Sequence, residues 1–158
     1  MRRIFKDLLK EAMLKDGNIY VFTADLGFGM FDSIRDEFPD RFFNLGSSEQ
    51  AMIGIAAAIA ANGKIPVCYS ITPFLIKRPY EFIDIYLNHE KMPVKLVGGG
   101  LFDDYGNLGY THHSNKHEYI FNGFENIKQF YPEQGELNFE YLHNFLYNNN
   151  ASFLGLRR

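Results

Sequence analysis

The 158-residue sequence predicts an α/β fold: a doubly wound, mainly parallel six-stranded sheet with helices on both faces. Two observations carry this prediction. Short apolar runs recur along the chain, and most are continuous in apolar character, as is typical of strands buried on both faces. Most intervals between the runs are long enough for the crossover helix that parallel neighbours require. The six predicted strands are residues 19–23, 42–45, 65–69, 94–97, 127–130 and 153–156.

The elements between these strands follow from spacing. A first helix is predicted before residue 17, because apolar residues recur there at helical intervals and Gly17 is a typical helix stop. A helix rich in small residues is predicted to follow the second strand. Residues 98–114 form a long loop with several glycines and aspartates, and loops of that length in compact domains are usually functional. The apolar positions of the first helix are Ile4, Phe5, Leu8, Leu9, Ala12 and Met13.

Composition excludes several classes of protein. The 16 basic and 19 acidic residues give a net charge of -3, and the basic residues are scattered, so neither a nucleic acid nor a membrane is expected as a partner. The apolar run at residues 51–61 is too short for a membrane span. The charged amino terminus does not resemble a signal peptide, and Cys68 can form no internal disulfide. We therefore expect a single cytoplasmic domain over residues 1–158.

Ligands of open parallel sheets bind outside the carboxyl ends of the strands. The long loop and the segments after Thr23, Leu45 and Tyr69 are expected to meet there. The segment after Leu45 contains Glu49, for which a structural role is the simpler interpretation. Ser47 and Gln50 have capping-box spacing, and a carboxylate in the first turn of a helix interacts favourably with the helix dipole.

The order of several motifs favours a functional interpretation. These motifs are TADL at 23–26, FPDRFFNLGSSEQ at 38–50 followed by AMIGIA, GKIPV at 63–67, the aromatic and arginine stretch at 74–81, YGNLGYTHH at 105–113 and SFLGLRR at 152–158. In this order they resemble the pyrimidine-binding domain of thiamine-diphosphate-dependent transketolases. The resemblance covers nearly the whole chain.

The resemblance implies roles for the edge residues. Glu49 would be the carboxyl that hydrogen-bonds the pyrimidine ring of thiamine diphosphate and promotes loss of the thiazolium proton, for which it should carry a proton near neutrality. Phe74 is our first choice for the aromatic ring that stacks on the pyrimidine, and Tyr69 is the second. Asp25 is expected to contact the cofactor or the partner chain.

The resemblance also places His112 and His113 over the reactive carbon of the cofactor, with His112 facing the substrate. Imidazole suits this position because it exchanges protons near neutral pH. A metal site is the alternative, because His113 and His117 are four residues apart and Asp103 and Asp104 lie nearby in the sequence. No second ligand pair with the spacing of a metal site supports that alternative.

The chain contains no Gly-Asp-Gly motif of the kind that holds Mg²⁺ and the diphosphate in this family. The diphosphate-binding and third domains of the family are therefore expected to be absent. The resemblance then implies a separate diphosphate-binding subunit that holds Mg²⁺, an α2β2 heterotetramer, and transfer of a two-carbon ketol unit between sugars or sugar phosphates. Two alternatives stay open: a subunit of a 2-oxo acid decarboxylase or synthase that uses the same cofactor, and a non-catalytic regulatory subunit.

Overall fold

A computed structural model describes residues 1–158 and contains one six-stranded sheet. All strand pairs are parallel, in the order β2-β1-β3-β4-β6-β5, which confirms the predicted fold class. The strands are β1 (Ile19–Thr23), β2 (Phe42–Asn44), β3 (Ile65–Ile71), β4 (Lys95–Gly99), β5 (Ile127–Phe130) and β6 (Ala151–Leu156).

Helices cover both faces of the sheet. They are α1 (Arg2–Lys15), α2 (Asp32–Glu37), α3 (Glu49–Ala61), α4 (Thr72–Lys77), α5 (Tyr80–Phe82), which continues as a π-helical segment (Ile83–His89), α6 (His117–Phe121) and α7 (Phe139–Leu146). Successive strand residues alternate between two apolar cores: Cys68 and Leu96 pack with α3, whereas Val67 and Val97 pack with α1 and α7.

The strand order creates a switch point at the carboxyl ends of β1 and β3. The chain passes from β1 to β2 on one side, and α3 then carries it to β3 on the other side of β1. At such a point the connections diverge and leave a crevice, which is where ligands of this class of sheet bind. The amino terminus of α3 and the whole of α4 lie beside this crevice.

The fourth strand differs from the prediction, which ended it at residue 97 and began the long loop at residue 98. The strand continues through Gly98 and Gly99, because these positions receive side chains from neighbouring elements. A Cβ atom on Gly98 would overlap Thr72 Oγ1, and one on Gly99 would lie 2.5 Å from the Tyr69 hydroxyl. The loop after β4 is closed by an antiparallel bridge between Phe102 and Ser114.

A buried lysine lies at the opposite, amino-terminal edge of the sheet. Lys95 is 1% exposed, and its Nζ donates 2.7 Å hydrogen bonds to the carbonyls of Asn148 and Asn150. Burial, with a smaller contribution from Lys128, lowers the pKa of Lys95 to about 7. Its hydrogen bonds connect β4 to the turn before β6. None of the helices has both the length and the apolar composition needed to span a membrane.

Candidate active site

Glu49 is the first residue of α3 and has an almost fully buried side chain, 2% exposed. The helix begins there because β2 ends at Asn44 and the backbone turns sharply through Gly46, whose φ is +68°. This turn brings the carboxylate to the crevice beside β3. Ser70 Oγ, near the end of that strand, donates a 3.3 Å hydrogen bond to Glu49 Oε1.

The predicted capping box is wrong. Ser48, not Ser47, is the N-cap of α3, and its side chain makes no capping hydrogen bond. In the turn before the helix, the backbone N–H of Ser48 donates to the carbonyl of Gly46 at 2.7 Å. The Glu49 side chain, in the first turn of this helix, points inward to Ser70 of β3.

Arg78 pairs directly with the buried carboxylate. Its Nη1 donates to both carboxylate oxygens of Glu49 at 2.8 Å, and the arginine side chain is 45% exposed. This arginine belongs to one of the motifs that carry the resemblance, but the sequence assigns it no role. The sequence contains one indication that Arg78 belongs to the site: it comes directly after the helix that contains Phe74, in a segment that follows a strand.

Phe74 lies in α4, which begins at Thr72-Pro73 directly after β3. Its half-buried ring has the Arg78 guanidinium carbon 4.0 Å from its centroid and meets the ring of His112 edge-on, with the centroids 4.9 Å apart. These residues share one open groove of about 530 Å³. Its lining residues are Pro73, Phe74, Lys77, Arg78, Tyr110, Thr111 and His112.

The two histidines of the long loop have different surroundings. His112 ends a short 3₁₀ turn, with its Nδ1 3.0 Å from Thr111 Oγ1, and it faces Phe74 in the groove. His113 Nε2 lies 3.2 Å from the carbonyl oxygen of Gly106 and is thereby tied to the loop. Phe74 and His112 thus line one groove, and Glu49 is buried behind it, where it is joined to the groove through Arg78.

Tyr69 is not placed with these residues. Neighbouring residues of a strand point to opposite faces, so Ser70 faces α3 whereas Tyr69 enters the other core. There it packs edge-on against Phe31, with ring centroids 5.0 Å apart. Burial raises the pKa of its hydroxyl. Tyr69 is therefore a core residue in this structure.

Asp25 follows β1 at the carboxyl edge of the sheet, as expected. It adopts a left-handed backbone conformation with φ of 53°, and its N–H donates to Asn44 Oδ1 at 3.0 Å. The side chain is exposed. Asp25 is therefore open to contact from outside the chain.

The structure brings together no group of three or more His, Cys, Asp or Glu side chains that could hold a metal ion. His117, which the metal alternative required, is buried among aromatic rings with its Nδ1 2.5 Å from the Ser114 carbonyl oxygen. Asp104 instead accepts from the N–H of Leu101 and from Arg157.

Comparisons with solved structures support the fold. A chain described as "Split gene transketolase, inactive beta4 tetramer" superposes with a TM-score of 0.83 over 99% of this chain and 50% of its own length, at 23% identity. Such a likeness establishes a common architecture.

Two curated relatives are closer in sequence. A subunit of the apulose-4-phosphate transketolase of Actinobacillus succinogenes is 41% identical over 96 residues, which are 61% of this chain and 31% of that protein. The putative transketolase C-terminal section of Methanocaldococcus jannaschii is 37% identical over 113 residues, which are 71% of this chain and 36% of that protein. The chain thus spans about a third of the length of these relatives.

The family model for the transketolase pyrimidine binding domain matches residues 1–158. It agrees with the architecture and with the relatives. The chain therefore belongs to the transketolase family, in which it corresponds to the pyrimidine-binding domain.

Proposed function

We propose that the chain is the pyrimidine-domain subunit of a split, thiamine-diphosphate-dependent transketolase-like enzyme. The enzyme would transfer a two-carbon ketol unit between sugars or sugar phosphates. The observation that carries the proposal is the buried Glu49 carboxyl group, which Arg78 joins to a groove lined by the Phe74 ring and His112 at the carboxyl edge of the sheet. The relatives named as a transketolase subunit and as a transketolase C-terminal section support the split organisation.

The donor set fits the pyrimidine half of this cofactor. A buried carboxyl suits a ring nitrogen, and an adjacent aromatic face suits a flat heterocycle. Glu49 would carry a proton on one carboxyl oxygen and share it with the ring nitrogen, while Ser70 orients the carboxyl group. Thiamine diphosphate, when bound, supplies the carbon nucleophile that takes up the ketol unit.

The histidines would handle the substrate. His112 projects into the groove beside Phe74, where its imidazole could take and return a proton at substrate hydroxyl and carbonyl oxygens. His113 is proposed as a second participant, and its contact with the Gly106 carbonyl would also fix the loop that presents His112. Asp25, exposed at the end of β1, would contact the cofactor or the partner chain.

The diphosphate end of the cofactor and its Mg²⁺ are assigned to a separate chain, in an α2β2 heterotetramer. The composition and exposure of the outer side of α3 support the proposal that a partner chain docks there. No charged side chain occurs between Gln50 and Ala61, and Ala51, Ile55 and Ala58 are exposed, Ile55 by 43%. A helix that is apolar on all sides is usually covered on all sides.

The proposal is tested by titration calorimetry with thiamine diphosphate and Mg²⁺ on this chain, on a Gly-Asp-Gly partner chain, and on their mixture. We expect measurable binding and ketol transfer only in the mixture, with an apparent affinity that depends on both subunit concentrations, because association and cofactor binding are linked. Tight 1:1 binding by this chain alone would contradict the split site. Cofactor binding with 2-oxo acid decarboxylation, but without ketol transfer, would favour another enzyme of the same cofactor. An inert mixture would favour a regulatory subunit.

If His112 acts on the substrate, its substitution should change kcat but leave the dissociation constant of the cofactor nearly unchanged. In the reconstituted complex, His112→Ala is expected to lower kcat by about 10²-fold, the lower part of the range for general acid–base groups. The cofactor dissociation constant should stay within about twofold, because ring nitrogens of His112 act on substrate in this proposal. His89→Ala, an exposed histidine beside Glu90, serves as the control and should leave both constants unchanged. Equal losses of affinity and turnover in His112→Ala would place His112 on the cofactor instead.

A further inference from the structure

The planar guanidinium group of Arg78 contacts two site residues at once. Its guanidinium lies 4.0 Å from the centroid of the Phe74 ring, and Nη1 donates to both oxygens of Glu49 at 2.8 Å. An aromatic face and a buried carboxylate are thus both engaged by the same cation.

These are the two contacts that the proposed function gives to the pyrimidine ring. A guanidinium and an aminopyrimidine are alike in the relevant chemistry: both are flat, both present nitrogen atoms at the edge, and both stack on an aromatic ring. The guanidinium and the heterocycle cannot occupy the same space between Glu49 and Phe74. One has to leave before the other enters.

The charge state of Glu49 also indicates that Arg78 and the pyrimidine ring exclude each other. The observed contact is an ion pair between a guanidinium and a carboxylate. The proposed task of Glu49 instead requires a carboxyl group that carries a proton and donates it. Arg78 in its observed position and Glu49 in its working form are therefore alternatives.

We propose that Arg78 is an internal stand-in for the pyrimidine ring, which closes the slot in the free chain and has to swing away before the cofactor binds. This inference rests on the proposed function, because it assumes that Glu49 and Phe74 form the pyrimidine slot.

The surroundings of Arg78 are consistent with such movement. A buried carboxylate without a partner is costly, so the free chain gains stability when Arg78 covers Glu49. Arg78 is nevertheless 45% exposed, whereas Glu49 is 2% exposed. The arginine can thus return to water without disturbing the core, while Glu49 stays in place.

The first test measures cofactor affinity in the complex with the partner chain, using thiamine diphosphate and Mg²⁺. Arg78→Ala is expected to lower the dissociation constant by about tenfold, the factor that applies if the slot is open in about one wild-type molecule in ten. Arg35→Ala is the matched control, because Arg35 also pairs with carboxylates, Asp32 and Asp36, but lies on α2. The control should leave the constant unchanged.

The second test needs no cofactor and follows thermal unfolding of the free chain. Arg78→Ala is expected to lower the Tm, because Glu49 loses its charged partner and keeps only the hydrogen bond from Ser70. The double variant Glu49→Gln/Arg78→Ala should recover part of that loss, since a neutral amide needs no counter-charge. If Arg78→Ala alone folds poorly, the double variant can still be compared with the wild-type chain, so the test remains decisive.

The outcomes separate this inference from the proposed function. If the wild-type complex binds the cofactor and Arg78→Ala binds it equally or more weakly, the stand-in is overturned while the function stands. Additive Tm changes in the double variant would overturn the ion pair itself. If neither the wild-type complex nor any variant binds the cofactor, the proposed function fails and this inference fails with it.

Discussion

Glu49→Gln in the reconstituted complex is expected to lower ketol transfer by about 10³-fold, within the range for loss of a general acid–base group. The amide has the shape of the carboxyl group, so it fits the buried site beside Ser70, but it cannot supply a proton to the pyrimidine ring. Turnover is measured by steady-state kinetics. Exchange of the thiazolium carbon proton for deuterium, followed by NMR, should slow in parallel, because both processes depend on the same carboxyl group.

Assembly is the control for this variant. Size-exclusion chromatography should give the same complex as the wild-type chain, and Glu125→Gln, an exposed carboxyl group, should turn over normally. Wild-type exchange and turnover in Glu49→Gln would refute the role of this residue. Slow turnover with normal exchange would instead move the role of Glu49 to a later, substrate-dependent step.

Gly98→Ala is expected to lower the free energy of unfolding by about 3 kcal/mol, at the upper end of the usual cost of overpacking. The new methyl group would overlap Thr72 Oγ1 and lie 2.8 Å from two ring carbons of Phe153. Phe153 is fully buried against Phe121 and Tyr131, so it has no space to move. Thr72 is also fully buried, and it begins the helix that carries Phe74. Urea unfolding of both proteins measures the difference.

The matched control is Gly17→Ala, because a Cβ atom there has no neighbour within 4 Å. Its stability should remain within about 0.5 kcal/mol of wild type, as for most surface substitutions. Similar losses in both variants would show that glycine itself matters in this chain, rather than the space beside Gly98.

The sequence predicted the six strands because most are short, continuous apolar runs between polar or helical segments, although β5 contains Lys128 and Gln129. Strand ends were less accurate where the local pattern and the tertiary contacts disagree. Gly98 and Gly99 look like the start of a loop, yet they remain in β4 because Tyr69, Thr72 and Phe153 pack against their backbone. Such contacts join residues distant in sequence and leave no local signal.

In the candidate site too, some features could be predicted from the sequence, whereas others depend on tertiary contacts. The resemblance named Glu49, Phe74 and His112; in the structure Phe74 and His112 line one groove, and Glu49 is buried and contacts Arg78 of that groove. The resemblance could not give a role to Arg78, because the contact of Arg78 with Glu49 joins two different helical segments. Strand alternation requires Tyr69 and Ser70 to face opposite sides, and the structure shows that Ser70 is the one that faces α3.

The pairing of β3 with its neighbours determines which side chain reaches the carboxylate. Phe22 pairs with Cys68 and Thr23 with Tyr69, and in this arrangement Ser70 faces Glu49. A shift of β3 by one residue would turn every side chain to the opposite face and put Tyr69 or Ile71, depending on its direction, in the place of Ser70. Changes in chain length are therefore tolerated or damaging according to their position. Those in the turn at residues 62–64 leave the pairing intact, whereas a single residue inserted within β3 would rebuild the surroundings of Glu49.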